Sequence, residues 1–366
     1  MKKLLALILT MNVLIIAVVY YHKHQDVPIP PDSPPVIERP VTPWKPPKTF
    51  NYDEAVQAII EADLKKDLFY LASPELEGRM SGKKGNKLAA DWVEAQYKSF
   101  GLKTMRQKFP IRRENPGPKN ETGDDFTENV IAWREGSVDE IVVIGAHMDH
   151  IGYGPAMSQA PRRREIHPGA DDNASGTVAL LQIARAFSRL EPPKRTTVFM
   201  SFSGEEMGLL GSKYYCDHPL FPLNSPSISK HVAMLNFDMI GYLKSGGVQA
   251  VGSASPDIDG IIKGLGSKYS FSRAITSRGS GGSDHAPFYN KRIPVAFLHT
   301  GMHSYYHTPD DTPERINYKG LEQVARYAFE LSWGLSNNNV APRFDHASFE
   351  PMKMTHDHGD IPFERK

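Results

Sequence analysis

Cysteine is nearly missing from this chain: Cys216 is the single one in 366 residues, so no disulfide can form within it. The fold must be held by a buried core, and a lone thiol in a helical pattern reads as a small core residue. Net charge is missing too, with 43 basic against 42 acidic side chains. Nothing in that balance suggests nucleic acid or another bulk electrostatic partner, and none is expected. Arg162, Arg163 and Arg164 form the one tight basic triplet and read as a solvated loop. No internal repeat stands out. With 40% hydrophobic residues, the chain can bury one large core.

What is present is unevenly spread. Lys2 and Lys3 precede Leu4–Tyr21, an apolar run interrupted only by Thr10 and Asn12. Signal-peptide cores run about 7–15 residues and membrane spans about 17–25, so this run falls on the anchor side. No small-x-small cleavage site and no lipid-accepting cysteine follows it. Lysines ahead of a span stay cytoplasmic, which sends the rest of the chain across. Residues 1–24 are therefore expected to be an uncleaved signal anchor in preference to a cleaved signal peptide. Such an anchor leaves the remainder membrane-attached in the periplasm or outside the cell, or secreted if it is cut. Residues 25–50 are rich in proline (Pro28, Pro30, Pro31, Pro34, Pro35, Pro40, Pro43, Pro46, Pro47), which favours extended polyproline backbone and a semi-rigid spacer.

Residues 51–340 carry the periodic patterns of a folded domain. Glu54–Leu71 and Lys87–Phe100 read as helices, with Leu88 and Trp92 four apart on one face. Apolar, strand-like runs follow at Glu140–Ile144, Thr196–Phe202, Val232–Phe237 and Ile293–His299. Helical patterns separate or close them: Ser175–Leu190, Glu206–Tyr215 and Leu321–Leu335. This alternation predicts an α/β domain with a mixed, centrally parallel sheet sandwiched by helices. Residues 341–366 read as a polar tail, with His346, His356 and His358 exposed in it.

Chemistry concentrates where those strands end. GAHMDHIG (145–152) puts His147 and Asp149 after one apolar run; GADDNASG (169–176) supplies Asp172; SGEEMG (203–208) supplies Glu205 and Glu206; NFDMIG (236–241) supplies Asp238; YHTPDDT (306–312) supplies His307. In open α/β sheets, functional groups gather at the carboxyl ends of the strands, so residues far apart in sequence converge on one rim. Taken singly, each motif has an ordinary structural explanation, such as a capping loop or an acidic helix start. Taken together in strand-end register, they describe a metal cage. Imidazole nitrogen and carboxylate oxygen suit zinc, and five ligands suit two ions about 3.5–4 Å apart. Asp172 is expected to bridge, with His147 and Asp238 on one ion and His307 and Glu206 on the other. Asp149 is expected to hydrogen-bond the far nitrogen of His147. Glu205, beside a ligand but unassigned, is the natural general base.

With LASPELEGR (71–79), GNKLAADWV (85–93) and YHTPDDT, the chain over residues 52–337 resembles the zinc aminopeptidases that include secreted bacterial leucyl aminopeptidases and, more distantly, glutamate carboxypeptidase II. The resemblance implies a di-zinc exopeptidase (aminopeptidase/phosphorylase-like) fold and the same ligand set, with Glu205 as base and Asp149 behind His147. It also implies that the Tyr306 hydroxyl steadies a tetrahedral oxyanion, and that Ser283–Asp284–His285 lies near the site. The reaction implied is hydrolysis of the N-terminal peptide bond of peptides with a free amino end, through a bridging metal-bound water. Segment 104–139 is too short for the protease-associated insert of larger relatives. The basic loop Tyr153–His167 is a departure that could reshape the substrate mouth, and His167 within it is a minor candidate for metal contact. Rivals from the same fold are a single-zinc glutaminyl cyclase and the carboxypeptidase branch. A non-catalytic binding module is set aside because no ligand of the set is missing.

Overall fold

The computed structural model describes residues 51–352 apart from 112–124, 155–156, 245–246, 254, 267, 270–271 and 276–281. The anchor and linker expectations, and those for His356 and His358, lie outside the described residues. Among the described residues, no helix is long and apolar enough to cross a membrane.

The domain opens with two helices where one was expected. Helix α1 (Tyr52–Gln57) starts at a capping box in which Asn51 and Glu54 each accept the other's backbone N–H, at 2.9 and 3.0 Å. The β-branched pair Ile59–Ile60 then breaks the helical run. Ile60 is extended (φ −126°, ψ 148°), and the turn drives Ile59 fully into the core before α2 (Glu61–Leu71) begins. Helix α3 (Lys84–Ser99) covers the sheet next.

Strands β1 (Lys103–Pro110), β2 (Phe126–Arg134), β3 (Val138–His147), β4 (Arg195–Phe202), β5 (His231–Phe237), β6 (Val248–Ser253), β7 (Ser272–Ile275) and β8 (Val295–His299) form one sheet in the order β1-β2-β4-β3-β5-β8-β6-β7. The middle four, β4-β3-β5-β8, are parallel. Antiparallel neighbours flank them on both sides, β2 on β4 and β6 on β8. The sheet is thus mixed and centrally parallel, as expected.

The central strands read as unbroken apolar runs because both faces are buried. Val142, Ile144 and Ala146 of β3 face one core with Leu180, Phe187 and Leu331. Ile141 and Val143, one residue out of phase, face the other with Phe202, Tyr215 and Phe288. The first core lies under α1, α2, α3, α4 (Gly176–Ser188) and α8 (Tyr318–Asn337). The second lies under α5 (Leu210–Asp217) and α7 (His285–Asn290); α6 (Pro256–Gly266) packs against α8 and β7. Within the first core, Phe187 of α4 stacks edge-on against Phe199 at 5.3 Å and against Phe329 at 5.5 Å. The folded part runs past the expected end at 340. Phe344 and Phe349 pack on Tyr289 at 5.6 and 5.5 Å, and Met352 is buried and hydrogen-bonded both ways to Asn290. Apolar side chains, spaced too irregularly to show a period, hold this segment down.

Candidate metal centre

The parallel register sets the rim. His147 pairs with Phe202 across β3–β4, Gly145 with Asn236 across β3–β5, and Phe237 with Leu298 across β5–β8. The loops after β3, β4 and β5 therefore leave one sheet edge side by side, carrying Asp149, Glu205–Glu206 and Asp238. A turn leading into α4 brings Asp172 to the same place, with Gly169 before it in the left-handed region at φ 57°.

Two groups of donors meet there: His147, Asp172 and Asp238, and His150, Asp172, Glu206 and His307, all buried. His147 Nε2 lies 3.4 Å from Asp172 Oδ1 and 3.4 Å from Asp238 Oδ1. His307 Nε2 lies 3.0 Å from Asp172 Oδ2 and 3.1 Å from Glu206 Oε2. Asp172 thus presents one oxygen to each group, as a bridge must. Neither Asp172 oxygen is in a hydrogen bond among the described residues, although the carboxylate is fully buried. A buried carboxylate is costly unless its charge is matched, and both oxygens face imidazole nitrogens, so a cation shared with those rings suits this geometry. Nitrogen and carboxylate donors of this kind fit zinc.

Electrostatics agree. Burial and Glu206 push the Asp172 carboxyl up, but the imidazoles of His147 and His307 outweigh them and hold it well below the usual range. Burial alone would lower the His307 pKa; Glu206 and Asp172 reverse this and lift it to about 10. His147 is likewise raised, against its burial, by Asp238 and Glu205. Protons stand in for metal on these rings, and binding an ion must release them.

The far side of each imidazole is anchored. His307 Nδ1 donates to the Met157 carbonyl at 2.9 Å, which leaves Nε2 for the cage. Met157 belongs to the basic loop, and Gln159 donates back to the His307 carbonyl at 2.9 Å. Arg163 clips the same loop to Asp310 at 2.6 Å. The triplet expected to be solvated thus contributes one residue that braces a ligand segment. His167 stays out of both donor groups, bonding Ser158 Oγ at 2.7 Å instead.

One expectation changes in detail. His147 Nδ1 faces the Asp149 main-chain carbonyl at 3.2 Å, while the Asp149 carboxylate is 3.7 Å away, beyond hydrogen-bond length. The carboxylate instead accepts from Ser81 Oγ at 3.1 Å and from the Glu205 backbone N–H at 3.3 Å. Asp149 therefore orients His147 through its backbone and positions Glu205 through its side chain. Glu205 is fully buried, stands outside both donor groups and has Oε2 4.0 Å from His147 Nε2. Tyr306 stacks on the His307 ring at 3.9 Å. Burial, then Asp172 and Glu206, hold its hydroxyl well above the ordinary phenol range, so it stays a donor. Ser283 donates to Asp238 Oδ2 at 2.7 Å. Burial and the neighbouring Glu205 push Asp284 well above its ordinary value.

Sequence reading passed over the frame behind the ligands. Arg79 is fully buried and donates to four carbonyls: Met148 (2.8 Å), Leu71 (2.6 Å), Pro168 (2.7 Å) and Gly169 (2.9 Å). Asp311 accepts the backbone N–H groups of Asp171 and Asp172 at 3.0 and 3.1 Å. Asp171 in turn receives the Gly241 N–H at 2.6 Å and His303 Nε2 at 3.0 Å. His150 was also missed, although it lies in the same run as His147.

Residues 129–332 match the family model described as Peptidase family M28. The chain is 33% identical over 226 residues to leupeptin-inactivating enzyme 1 of Streptomyces exfoliatus, covering 61% of this chain and 44% of that protein. It is 30% identical over 195 residues to aminopeptidase YwaD of Bacillus subtilis, covering 50% of this chain and 39% of that one. The chain thus spans less than half the length of these two relatives. In structure it is similar to a zinc aminopeptidase from Bacillus subtilis, with a TM-score of 0.62 at 18% identity, covering 81% of this chain and 99% of that one.

Proposed function

Since the chain belongs to peptidase family M28, we propose that it is a zinc aminopeptidase that holds two ions and removes single residues from the free amino end of peptides. The observation that carries this is the pair of buried donor groups sharing Asp172, with Glu205 buried 4.0 Å from His147 and outside each group. His147, Asp172 and Asp238 would hold one ion, and Asp172, Glu206 and His307 the other. When bound, such ions supply Lewis acidity that polarises a carbonyl and makes water acidic enough to deprotonate near neutral pH.

The chain's own residues supply the rest. Glu205, fixed by its backbone bond to Asp149, takes the proton of the attacking water and delivers it to the leaving amine. Tyr306, kept un-ionised, donates to the oxyanion that develops on the former carbonyl. A protonated α-amine finds carboxylates at this rim, a charge-assisted contact worth about 1.5–3 kcal/mol. An acetyl cap removes that charge, so it should cost at least about tenfold in kcat/KM. Mass spectrometry of one peptide, capped and uncapped, with and without chelator, tests this. Release of single N-terminal residues from the uncapped, metal-loaded reaction alone is the expected result. Equal cleavage of both, or trimming from the carboxyl end, refutes it. A cyclase-like enzyme would instead bind one zinc per chain and leave peptide length unchanged.

Placement outside the cytoplasm on an N-terminal anchor is part of the same proposal, supported by the Leu4–Tyr21 run and the proline-rich segment behind it. A chain starting at Lys48 should then be soluble and active, while the full chain fractionates with membranes.

A further inference from the structure

We propose that His150 is a fourth protein ligand on the Glu206 side of the cage, which makes the two ion positions unequal. His150 matters in this way only if the cage holds metal, as proposed above. Its Nδ1 lies 2.6 Å from Glu206 Oε1 and 3.7 Å from Asp172 Oδ2, and its ring meets that of His307 edge-on at 5.4 Å. At zinc bond lengths of about 2.0–2.2 Å, two donors on one ion sit about 2.8–3.6 Å apart. The spacings of His307 Nε2 to Asp172 and Glu206, 3.0 and 3.1 Å, fall inside that range, and the His150–Asp172 spacing falls just beyond it. The 2.6 Å contact is a hydrogen bond that an arriving ion replaces, since the ion displaces the proton that Nδ1 and Oε1 share.

The ring has little freedom to be anywhere else. His150 is 1% exposed, its backbone N–H bonds the Arg79 carbonyl at 3.3 Å, and its face lies against Gly169. A Cβ on Gly169 would come within 2.5 Å of His150 Cγ and Cδ2, and the glycine sits at φ 57°. The fold therefore keeps this position bare of a side chain and presses an imidazole against it. The Asp238 side has three donors, His147, Asp172 and Asp238, where the Glu206 side has four. The first ion to enter should take the Glu206 side, and the ion on the Asp238 side should be the one that exchanges.

The test is titration of metal-free full-length protein with Co2+, followed by visible d–d absorption and by metal content after dialysis. The wild-type chain should load in two steps separated by at least about tenfold in Kd. His150→Ala should weaken the first step about 10–100-fold and change the position and intensity of the singly loaded spectrum, with the second step moved far less. His150→Gln, which keeps a polar group in the pocket, should shift the same spectrum. Two wild-type steps of equal affinity overturn the proposal without recourse to any variant. An unchanged singly loaded spectrum in folded His150→Ala or His150→Gln overturns it as well, and leaves His150 a hydrogen-bond donor to Glu206. A wild-type chain that takes up no cobalt or zinc refutes the metal-centre reading itself, a different failure from either of these.

Discussion

Arg79→Met should unfold the metal-free domain far more readily than its distance from substrate suggests. The guanidinium spans three segments: the loop after β3 at Met148, the end of α2 at Leu71, and the turn before Asp172 at Pro168 and Gly169. Methionine fills much of the same volume but strips the Met148, Leu71 and Pro168 carbonyls of the guanidinium, while Gly169 keeps the Ala174 N–H at 3.2 Å. Each orphaned acceptor costs about 1–3 kcal/mol; three at the lower figure already reach about 3 kcal/mol, against a typical total of about 5–15. The charge is lost as well. Burial lowers the Arg79 pKa to about 10, but Asp172, Asp311, Asp149 and Glu206 support the cation, so it stays charged at neutral pH. Urea unfolding in chelator, followed by tryptophan fluorescence, measures the loss. Arg79→Lys should fall between, because an ammonium keeps the charge but offers three donors for four acceptors. Excess zinc should restore part of the stability, since a ligand that binds only the folded state adds RT ln(1 + [L]/Kd). A methionine variant within about 1 kcal/mol of wild type in chelator would falsify the claim that this arginine holds the rim together.

Glu205→Gln should keep full metal content while turnover falls about 10²–10⁴-fold, the usual contribution of a general base; near-normal turnover would remove Glu205 from that role. Asp172→Ala should lose both ions, checked by metal analysis after dialysis, and retention of either one sinks the bridge. For pH, His231 is buried against the Tyr215 hydroxyl at 2.7 Å, and burial lowers its pKa from 6.5 to about 4. The unfolded chain therefore binds this proton first, so the stability is present above pH 6.5 and is lost as pH falls toward 4, about 3 kcal/mol in all. Chelated His231→Gln should show a shallower fall in urea midpoint between pH 7 and pH 5 than wild type, and identical slopes would refute it.

The central sheet was legible because β3, β4 and β5 are buried on both faces and spell unbroken apolar runs. Strand β1 (KTMRQKFP) was not, because an edge strand with one wet face mixes charge and apolar residues without a clean period. The candidate ligands were legible for a related reason. Each sits at or just beyond the end of such a run, or opens a helix, and His and carboxylate residues stand out against apolar flanks. What carries no local mark is the frame: Arg79 bonds Pro168 and Gly169, and Asp311 bonds Asp171 and Asp172. These partners are far apart in sequence and follow no period, and an arginine in a polar turn looks solvated until the turn is seen to be buried.

Charge supplies the signal that periodicity does not. The expected cage places Asp149, Asp172, Glu205, Glu206 and Asp238 in one water-poor rim, and the structure buries all five. Carboxylates in that density cannot all stay ionised without compensation from metal ions, imidazoles and backbone or side-chain donors. Asking of each acid what pays for its burial leads outward: Asp172 to two histidines and the proposed ions, Asp149 to Ser81 and the Glu205 N–H, Asp238 to Ser283, and Glu206 to His307 and His150. Glu206, like Asp172, has an imidazole at each of its two oxygens, and one of those rings is His150. A histidine three residues after His147 was in plain view in GAHMDHIG, and the excess of acid over assigned base was the reason to give it a role.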